Sequence, residues 1–433
     1  MIKWRNRSEF WITGAKLIDP SRNKPAYGSI HVKKGLIEEV AWKKKVETNL
    51  PVLELEGYMV TPGFVDIHAH LREPGYEEKE TIASGTAAAI AGGYTSVACM
   101  ANTDPVVDDP SVVRYILNRN RDAGNCRLYV IGALTRGLEG VDITEFGLLS
   151  DAGIVALSDD GKFVSNSRVM RSALEYAGML GLTVISHCED TTLSAGGLMN
   201  EGYYSTKLGL AGIPSQVEET AVYRDISLAE LTGSPLHIAH ASTARSVEII
   251  RSGKEREIPV TAEVTPHHLT MDDSMLEEYD SNLKVNPPLR SSRDVDILLD
   301  GLKSGVIDCI ATDHAPHNVI DKQVEFDLAP PGMIGLQTAF SQLNTELVRT
   351  GKLELTDLVR LMTAAPAGVL GIPAGTMEKG AAADLAVIDP EQEWVYDLSN
   401  NRSISSNSPL IGKTLTGRVE GVFVGGKWTA TAE

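Results

Sequence analysis

Cysteine is scarce in this chain. Cys99, Cys126, Cys188 and Cys309 are scattered through 433 residues with no CxxC pair among them. That spacing excludes a disulfide framework and a zinc ribbon. Positive charge is the minority sign: 40 Lys and Arg stand against 58 Asp and Glu, a formal net charge of −18. Such a chain repels nucleic acid and anionic membrane surfaces. An anionic substrate would need a local positive site, and a metal centre could supply one. Long apolar runs are missing too. No uninterrupted segment is long enough to span a bilayer, and Met1-Ile2-Lys3-Trp4-Arg5-Asn6-Arg7 does not build a secretory leader. These absences lead us to expect a cytoplasmic enzyme with no membrane or nucleic-acid partner. Gly35, Gly92-Gly93 and Gly196-Gly197 lack the strand–GxGxxG–helix context of a dinucleotide site, and Lys43-Lys44-Lys45 reads as a solvated loop.

What the chain does contain is a set of ligand-type residues at the ends of short apolar runs. Thr61-Pro62-Gly63-Phe64-Val65-Asp66-Ile67 closes on His68-Ala69-His70-Leu71-Arg72. Histidines at i and i+2 of a strand point to one face, so both rings can reach one cation. Taken alone, the pair fits two hydrogen-bonded strand-end histidines equally well. Asp160 in Leu157-Ser158-Asp159-Asp160-Gly161, His187 after Val184-Ile185-Ser186, His240 after Leu236-His237-Ile238-Ala239 and Asp313 after Ile310-Ala311-Thr312 repeat the pattern.

The order of elements joins these sites. Strands are expected at Gly63–His68, Tyr94–Met100, Leu128–Gly132, Ile154–Ser158, Thr183–His187, Leu236–His240, Val260–Val264 and Ile307–Ala311. Between them lie helical runs such as Glu78–Ala91, Ser167–Leu180, Ser215–Leu231, Ala244–Ser252 and Arg293–Leu302. Eight strands alternating with helices predict an α/β fold, a (β/α)8 TIM barrel over 61–375 with its active site at the carboxyl ends of the strands. All six candidate ligands fall on that face. The β-rich ends, 1–60 and 376–433, each look too small to bury a core, so one β-sandwich built from both is expected.

Four imidazoles and two carboxylates exceed what one tetrahedral zinc with an open position can use. They suit two ions bridged by a carboxylate and a hydroxide, a pair that activates water and polarises a carbonyl. Nitrogen-rich ligation favours Zn²⁺, two per subunit. With Asp160, Asp313 and one hydroxide the centre carries about +1, enough to attract an anion. His267-His268 are expected beside the metals rather than on them. His237, three residues before His240, is expected in the core, facing the other way.

Asp66-Ile67-His68-Ala69-His70-Leu71-Arg72-Glu73-Pro74-Gly75 resembles the signature of the dihydroorotases of the amidohydrolase superfamily, and Ala311-Thr312-Asp313-His314-Ala315-Pro316-His317 resembles their second signature. Met100-Ala101-Asn102-Thr103, His187-Cys188-Glu189-Asp190, Glu263-Val264-Thr265-Pro266-His267-His268 and Val285-Asn286-Pro287-Pro288-Leu289-Arg290 match that family in order and spacing. The bacterial class I type is the one resembled, which implies reversible cyclisation of N-carbamoyl-L-aspartate to L-dihydroorotate in de novo pyrimidine (UMP) biosynthesis. By resemblance His68, His70, Asp160, His187, His240 and Asp313 hold the metals, and Asp313 is the general acid and base. Hydantoinases, dihydropyrimidinases and allantoinases share the fold but bridge their metals with a carboxylated lysine. Lys162 is the alternative bridge here, disfavoured because Gly161 signals a turn.

Arg72, two residues past His70, would take the substrate carboxylate through two parallel hydrogen bonds; its other reading is a surface arginine paired with Glu73. By resemblance Asn102 and His317 join it, while Asn286 and the backbone around Pro331 and Gly332 hold the ring's amide edges. Pro330-Pro331-Gly332 stands where relatives often read Pro-Phe-Gly. Two other readings stay open: a hydrolase for another cyclic amide, and a non-catalytic partner of aspartate carbamoyltransferase. The second is disfavoured because all six ligands are present. A small-molecule substrate and a homo-oligomer, a dimer, are expected, and association with an aspartate carbamoyltransferase stays open.

Overall fold

Eight short parallel strands wind into a barrel: β1 (Phe64–Ala69), β2 (Tyr94–Cys99), β3 (Arg127–Gly132), β4 (Ile154–Ser158), β5 (Thr183–Ser186), β6 (Leu236–Ile238), β7 (Val260–Val264) and β8 (Cys309–Ile310). The computed structural model describes residues 2–22, 24–43 and 46–431, so Lys44 and Lys45 of the basic run lie outside it. Neighbours in the barrel follow sequence order. Closure between β8 and β1 comes from a bridge between Ala69 and His314 and from the His70 N–H, which donates to the His314 carbonyl at 2.8 Å. Asp66 completes the seam by accepting from the Thr312 N–H and hydroxyl.

Strands covered on both faces need apolar residues on both. Outward-facing Leu128, Val130, Val184 and Ile238 pack with Ile116, Leu174, Val222 and Ile250 of the surrounding helices. Those helices span Ile82–Ala91, Pro110–Ala123, Phe146–Ala152, Ser167–Met179, Gln216–Thr232, Ala244–Glu255 and Ser292–Lys303. Thr81, Asp109, Asn166, Thr243 and Ser291 cap five of them by accepting an N–H of the first turn. Val65, Ile67, Ala98, Ile131, Ala156, Ile185 and Ala311 fill the interior. A helix at Ala364–Leu370 closes the amino-terminal end, with Ala367 and Leu370 in the interior cluster. The Val65 N–H donates to the Met362 carbonyl and the Thr183 hydroxyl to the Val369 carbonyl.

Both chain ends contribute to a second, nine-stranded sheet. Phe10, Ile12, Ile30 and Val32 share one core with Leu385, Val387, Phe423 and Trp428. Leu385–Ile388 pairs with Met59–Pro62, which leads through Gly63 into β1. A Cβ at Gly63 would lie 2.0 Å from the Thr95 hydroxyl, so only glycine fits that passage. Leu385–Tyr396 and Lys413–Val424 form a hairpin of 12 residues per strand. At about 3.3 Å per residue it runs roughly 40 Å, and its connection, 397–412, lies against the carboxyl end of the barrel, where Ser405 bonds to Lys79 and Asn407 to Ala315. Among the described residues no helix is long and apolar enough to cross a membrane.

Candidate metal centre

The strand ends bring all six expected ligands together. His68 lies in β1 and His70 just beyond it; Asp160, His187, His240 and Asp313 follow β4, β5, β6 and β8. The β1–β2 register slips between Asp66 and Ala69. Ile67 therefore stays in the interior cluster while the next residue, His68, also turns inward. Among the described residues two buried groups have ligand geometry: His68, His70 and Asp160, and Asp160, His187 and His240. Asp160 belongs to both. Its Oδ1 lies 3.3 Å from His68 Nε2, 3.5 Å from His187 Nδ1 and 3.4 Å from His240 Nε2, and its Oδ2 lies 3.4 Å from His70 Nε2. Asp313 Oδ1 stands 3.1 Å from His70 Nε2 and 3.6 Å from His68 Nε2. Arg72, His240 and Asp313 take φ of +62°, +31° and +47°, conformations that L-residues hold only when their surroundings impose them.

Buried polar atoms normally find partners. Among the described residues His68 Nε2 and Asp160 Oδ1 are buried without a hydrogen-bond partner, and they face the point where the two groups meet. Imidazole nitrogens around a shared carboxylate are the donor set of a divalent transition metal. The residues fit a metal site. Burial pushes Asp160 up, but His68, His187 and His240 outweigh it and hold the carboxyl well below its usual range. Burial acts the same way on Asp313 and is overcome by His70 and His68. His187, which burial would lower, is raised to about 10 by Asp160 and Glu189. A cation bound there would have to displace that proton, so metal uptake would release protons.

Two carboxylates behind the ligands escaped the sequence reading. Glu263 in β7 accepts from His68 Nδ1 at 2.6 Å, from His237 Nε2 at 3.1 Å and from the His240 N–H at 3.2 Å. It fixes the His68 ring and leaves Nε2 for the metal. His68 and His237 overcome the burial of Glu263 and hold its carboxyl at about 2. His237 is buried as expected, yet it serves this carboxylate rather than an apolar core. β6 ends at Ile238 and the chain turns at His240, so alternation does not carry through. Glu189 likewise receives His187 Nε2, the Ser194 hydroxyl and the Asn286 amide. An acidic residue inside an otherwise apolar barrel strand, as in Val260-Thr261-Ala262-Glu263-Val264, was the available signal for the first. No comparable signal marked Glu189.

A cavity of about 240 Å³ opens above the ligands, lined by His70, Arg72, Asn102, Asn286, His317, Pro331 and Gly332 among others. Arg72 does not pair with Glu73, whose carboxylate is taken by Arg119 at 2.6 Å, by Tyr115 and by the Ile82 N–H. Its Nε donates to the Pro316 carbonyl, and no acidic partner for the guanidinium exists among the described residues. Asn102 Oδ1 accepts from His70 Nδ1 at 2.9 Å, so this side chain orients a candidate ligand as well as lining the cavity. Burial and the Arg72 charge push His317 down to about 3, and its Nε2–H donates to the Pro331 carbonyl. The Gly332 N–H is committed to the Lys284 carbonyl. Gly332 has φ +135° and no room for a Cβ beside Ala315.

His268 is held by the Thr265 hydroxyl and donates to the Pro287 carbonyl; His267 lies near Asp313 and outside both ligand groups. Lys162 is exposed, beyond a turn in which its N–H donates to the Asp159 carbonyl and Gly161 takes φ +81°.

Comparison with known proteins identifies the family of the chain. Residues 57–246 match the family model described as dihydro-orotase-like. The chain is 48% identical over 416 residues to the dihydroorotase of Acetivibrio thermocellus, covering 96% of this chain and 97% of the other. It is 50% identical over 417 residues to that of Pelotomaculum thermopropionicum, covering 96% and 97%. Among solved structures, the L-hydantoinase (dihydropyrimidinase) of Arthrobacter aurescens superimposes with a TM-score of 0.87 at 24% identity, over 98% of this chain and 96% of that one. The dihydropyrimidinase of Brevibacillus agri NCHU1002 gives 0.82 at 22%, over 98% and 95%. At such identity the structures speak for the barrel fold alone, whereas the sequence relatives cover nearly the whole chain: this protein belongs to the dihydroorotase family.

Proposed function

We propose that the chain interconverts N-carbamoyl-L-aspartate and L-dihydroorotate in pyrimidine biosynthesis, using two zinc ions held by His68, His70, Asp160, His187, His240 and Asp313. The observation that carries the reading is the half-buried Arg72, without an acidic partner, on the same cavity as a doubly shared Asp160. Two bound zinc ions would activate water and polarise the carbonyl under attack. Asp160 would be the ligand that both ions share, because its two oxygens face different histidines and Lys162 is exposed.

Arg72 takes the substrate α-carboxylate in a two-point grip, with Asn102 and His317 beside it. Asn286 and the Pro331–Gly332 wall enclose the ring. In ring opening Asp313 takes the proton of the attacking water and delivers it to the ring nitrogen as the C–N bond breaks. In ring closure it takes a proton from the carbamoyl nitrogen, which attacks the β-carboxyl carbon, and returns it to the departing oxygen. One further proton comes from solvent, because a carboxylate is consumed and water is released. The neighbouring histidines keep Asp313 ionised and ready to accept.

Zinc-loaded protein should turn over carbamoyl aspartate and dihydroorotate and leave hydantoin and allantoin untouched. Preference for either of the latter sinks the reading. On the same reading the enzyme works in the cytoplasm. Size-exclusion chromatography, with and without an aspartate carbamoyltransferase, tests for a homodimer and for a mixed complex.

A further inference from the structure

The hairpin of the terminal sheet does more than stabilise that sheet. Its connection, 397–412, sits on the barrel mouth, and Asn407 at its inner end is buried. The Asn407 Nδ2 amide donates to the Ala315 and Gly332 carbonyls, each at 3.0 Å, and Oδ1 accepts from the His317 N–H at 3.1 Å. Its backbone carbonyl accepts from the Ile334 N–H. Ala315, His317 and Gly332 all line the substrate cavity. Nearby, Ser403 and the Ile404 N–H bind Glu80, and the Ser405 hydroxyl donates to the Lys79 carbonyl, so the loop is anchored on two sides of the mouth.

From this geometry we infer that Asn407 is a positioning residue of the active site: it holds His317 and the Pro331–Gly332 wall at the spacing that the substrate ring needs. The physical reason is local. Asp313 and Gly332 both have positive φ, and between them the described residues form only the four-residue helix Val319–Lys322, so neither His317 nor the Pro331–Gly332 wall lies in a helix or strand. The segment is held from within by His317 on the Pro331 carbonyl and by the Ala315 N–H on the Met333 carbonyl, and the Asn407 amide, which bonds both its ends, ties it to the hairpin connection. Hydrogen bonds of this kind set where the wall stands; they do not touch the reacting atoms.

The inference rests on the dihydroorotase reading, and a matched control separates the two. Asn344 is equally buried and donates to two carbonyls, Pro390 and Thr416, but lies away from the cavity. Asn407→Ala and Asn344→Ala in the zinc-loaded full chain should lose similar stability in thermal melts. Asn407→Ala alone should raise KM for dihydroorotate about ten- to hundredfold, with kcat within about threefold and metal content unchanged. Asn407→Asp keeps the volume and the acceptor facing His317 but sets an anion against two carbonyls. It should raise KM as well. Equal KM values in the Asn407 and Asn344 variants, or failure of both Asn407 variants to fold, would make Asn407 a residue of the fold and overturn the inference. Inactivity of the unsubstituted enzyme on dihydroorotate would instead overturn the proposed function.

Discussion

The two ends of the barrel are closed by opposite kinds of side chain. At the amino-terminal end Val65, Ile67, Ala98, Ile131 and Ile185 meet Ala367, Leu370 and Ile372, with no charge among them. At the carboxyl end the buried groups are His68, His70, Asp160, His187, His240, Glu263 and Asp313. Apolar burial stabilises the fold with no partner needed, whereas each buried ionisable group costs desolvation unless another group compensates it. The carboxyl end recovers that cost only in part from within: His68 Nε2 and Asp160 Oδ1 have no hydrogen-bond partner among the described residues. A cation bound between the two groups would offset the remainder.

The largest break in this comparison is removal of metal ligands. His68→Ala with His240→Ala should lose at least one ion and about a thousandfold or more in kcat, while circular dichroism shows the barrel still folded. Two zinc equivalents in the purified double variant would show that the ligand assignment is wrong.

Leu370→Ala attacks the other end. It should cost about 2–5 kcal/mol of stability by denaturant titration, yet leave kcat/KM of the folded enzyme within about twofold. A change in KM would mean that the two ends are not separable.

Arg72→Lys sharpens the upper end without changing its charge. Losing one of two charge-assisted hydrogen bonds is worth about 2–4 kcal/mol, or roughly 30- to 1,000-fold in kcat/KM for dihydroorotate. Slow turnover of dihydrouracil, the same ring without the carboxylate, should be nearly unaffected. Equal losses on both substrates would assign Arg72 to support of the metals or the fold.

The smallest effect is expected from Lys162→Ala, which should leave zinc content and rate nearly unchanged because the side chain is exposed. Bicarbonate-dependent reconstitution, abolished in this variant, would transfer the bridge from Asp160 to Lys162.

Much of this molecule was legible in its sequence for a simple reason. Strands buried on both faces leave uninterrupted apolar runs, and ligand-type residues at their ends stand out against them, as His68, His187 and Asp313 do. The strand ends at Ile154–Ser158 and Val260–Val264 agree with the sequence to the residue. The Ala364–Leu370 helix was missed because Ala364-Ala365-Pro366-Ala367-Gly368-Val369-Leu370 carries no polar face from which periodicity could be read. Asn102 was expected on the substrate, and its bond to His70 could not be foreseen, because spacing along a chain says nothing about which of two partners a loop amide meets.

The sequence by itself determined the fold class, the family and the set of ligand-type residues, because these depend on pattern and residue type. Only the tertiary structure decided which atoms face one another. A register slip in β1 turns His68 inward beside Ile67, and left-handed turns at His240 and Asp313 aim those side chains at Asp160 and His70. Arg119, 46 residues away, occupies Glu73 and so frees Arg72 for an anion. Asn407, 92 residues beyond Ala315, sets the substrate wall. Those relations arise from closure of the barrel and the return of the carboxyl-terminal hairpin to its mouth, long-range contacts that no local pattern encodes.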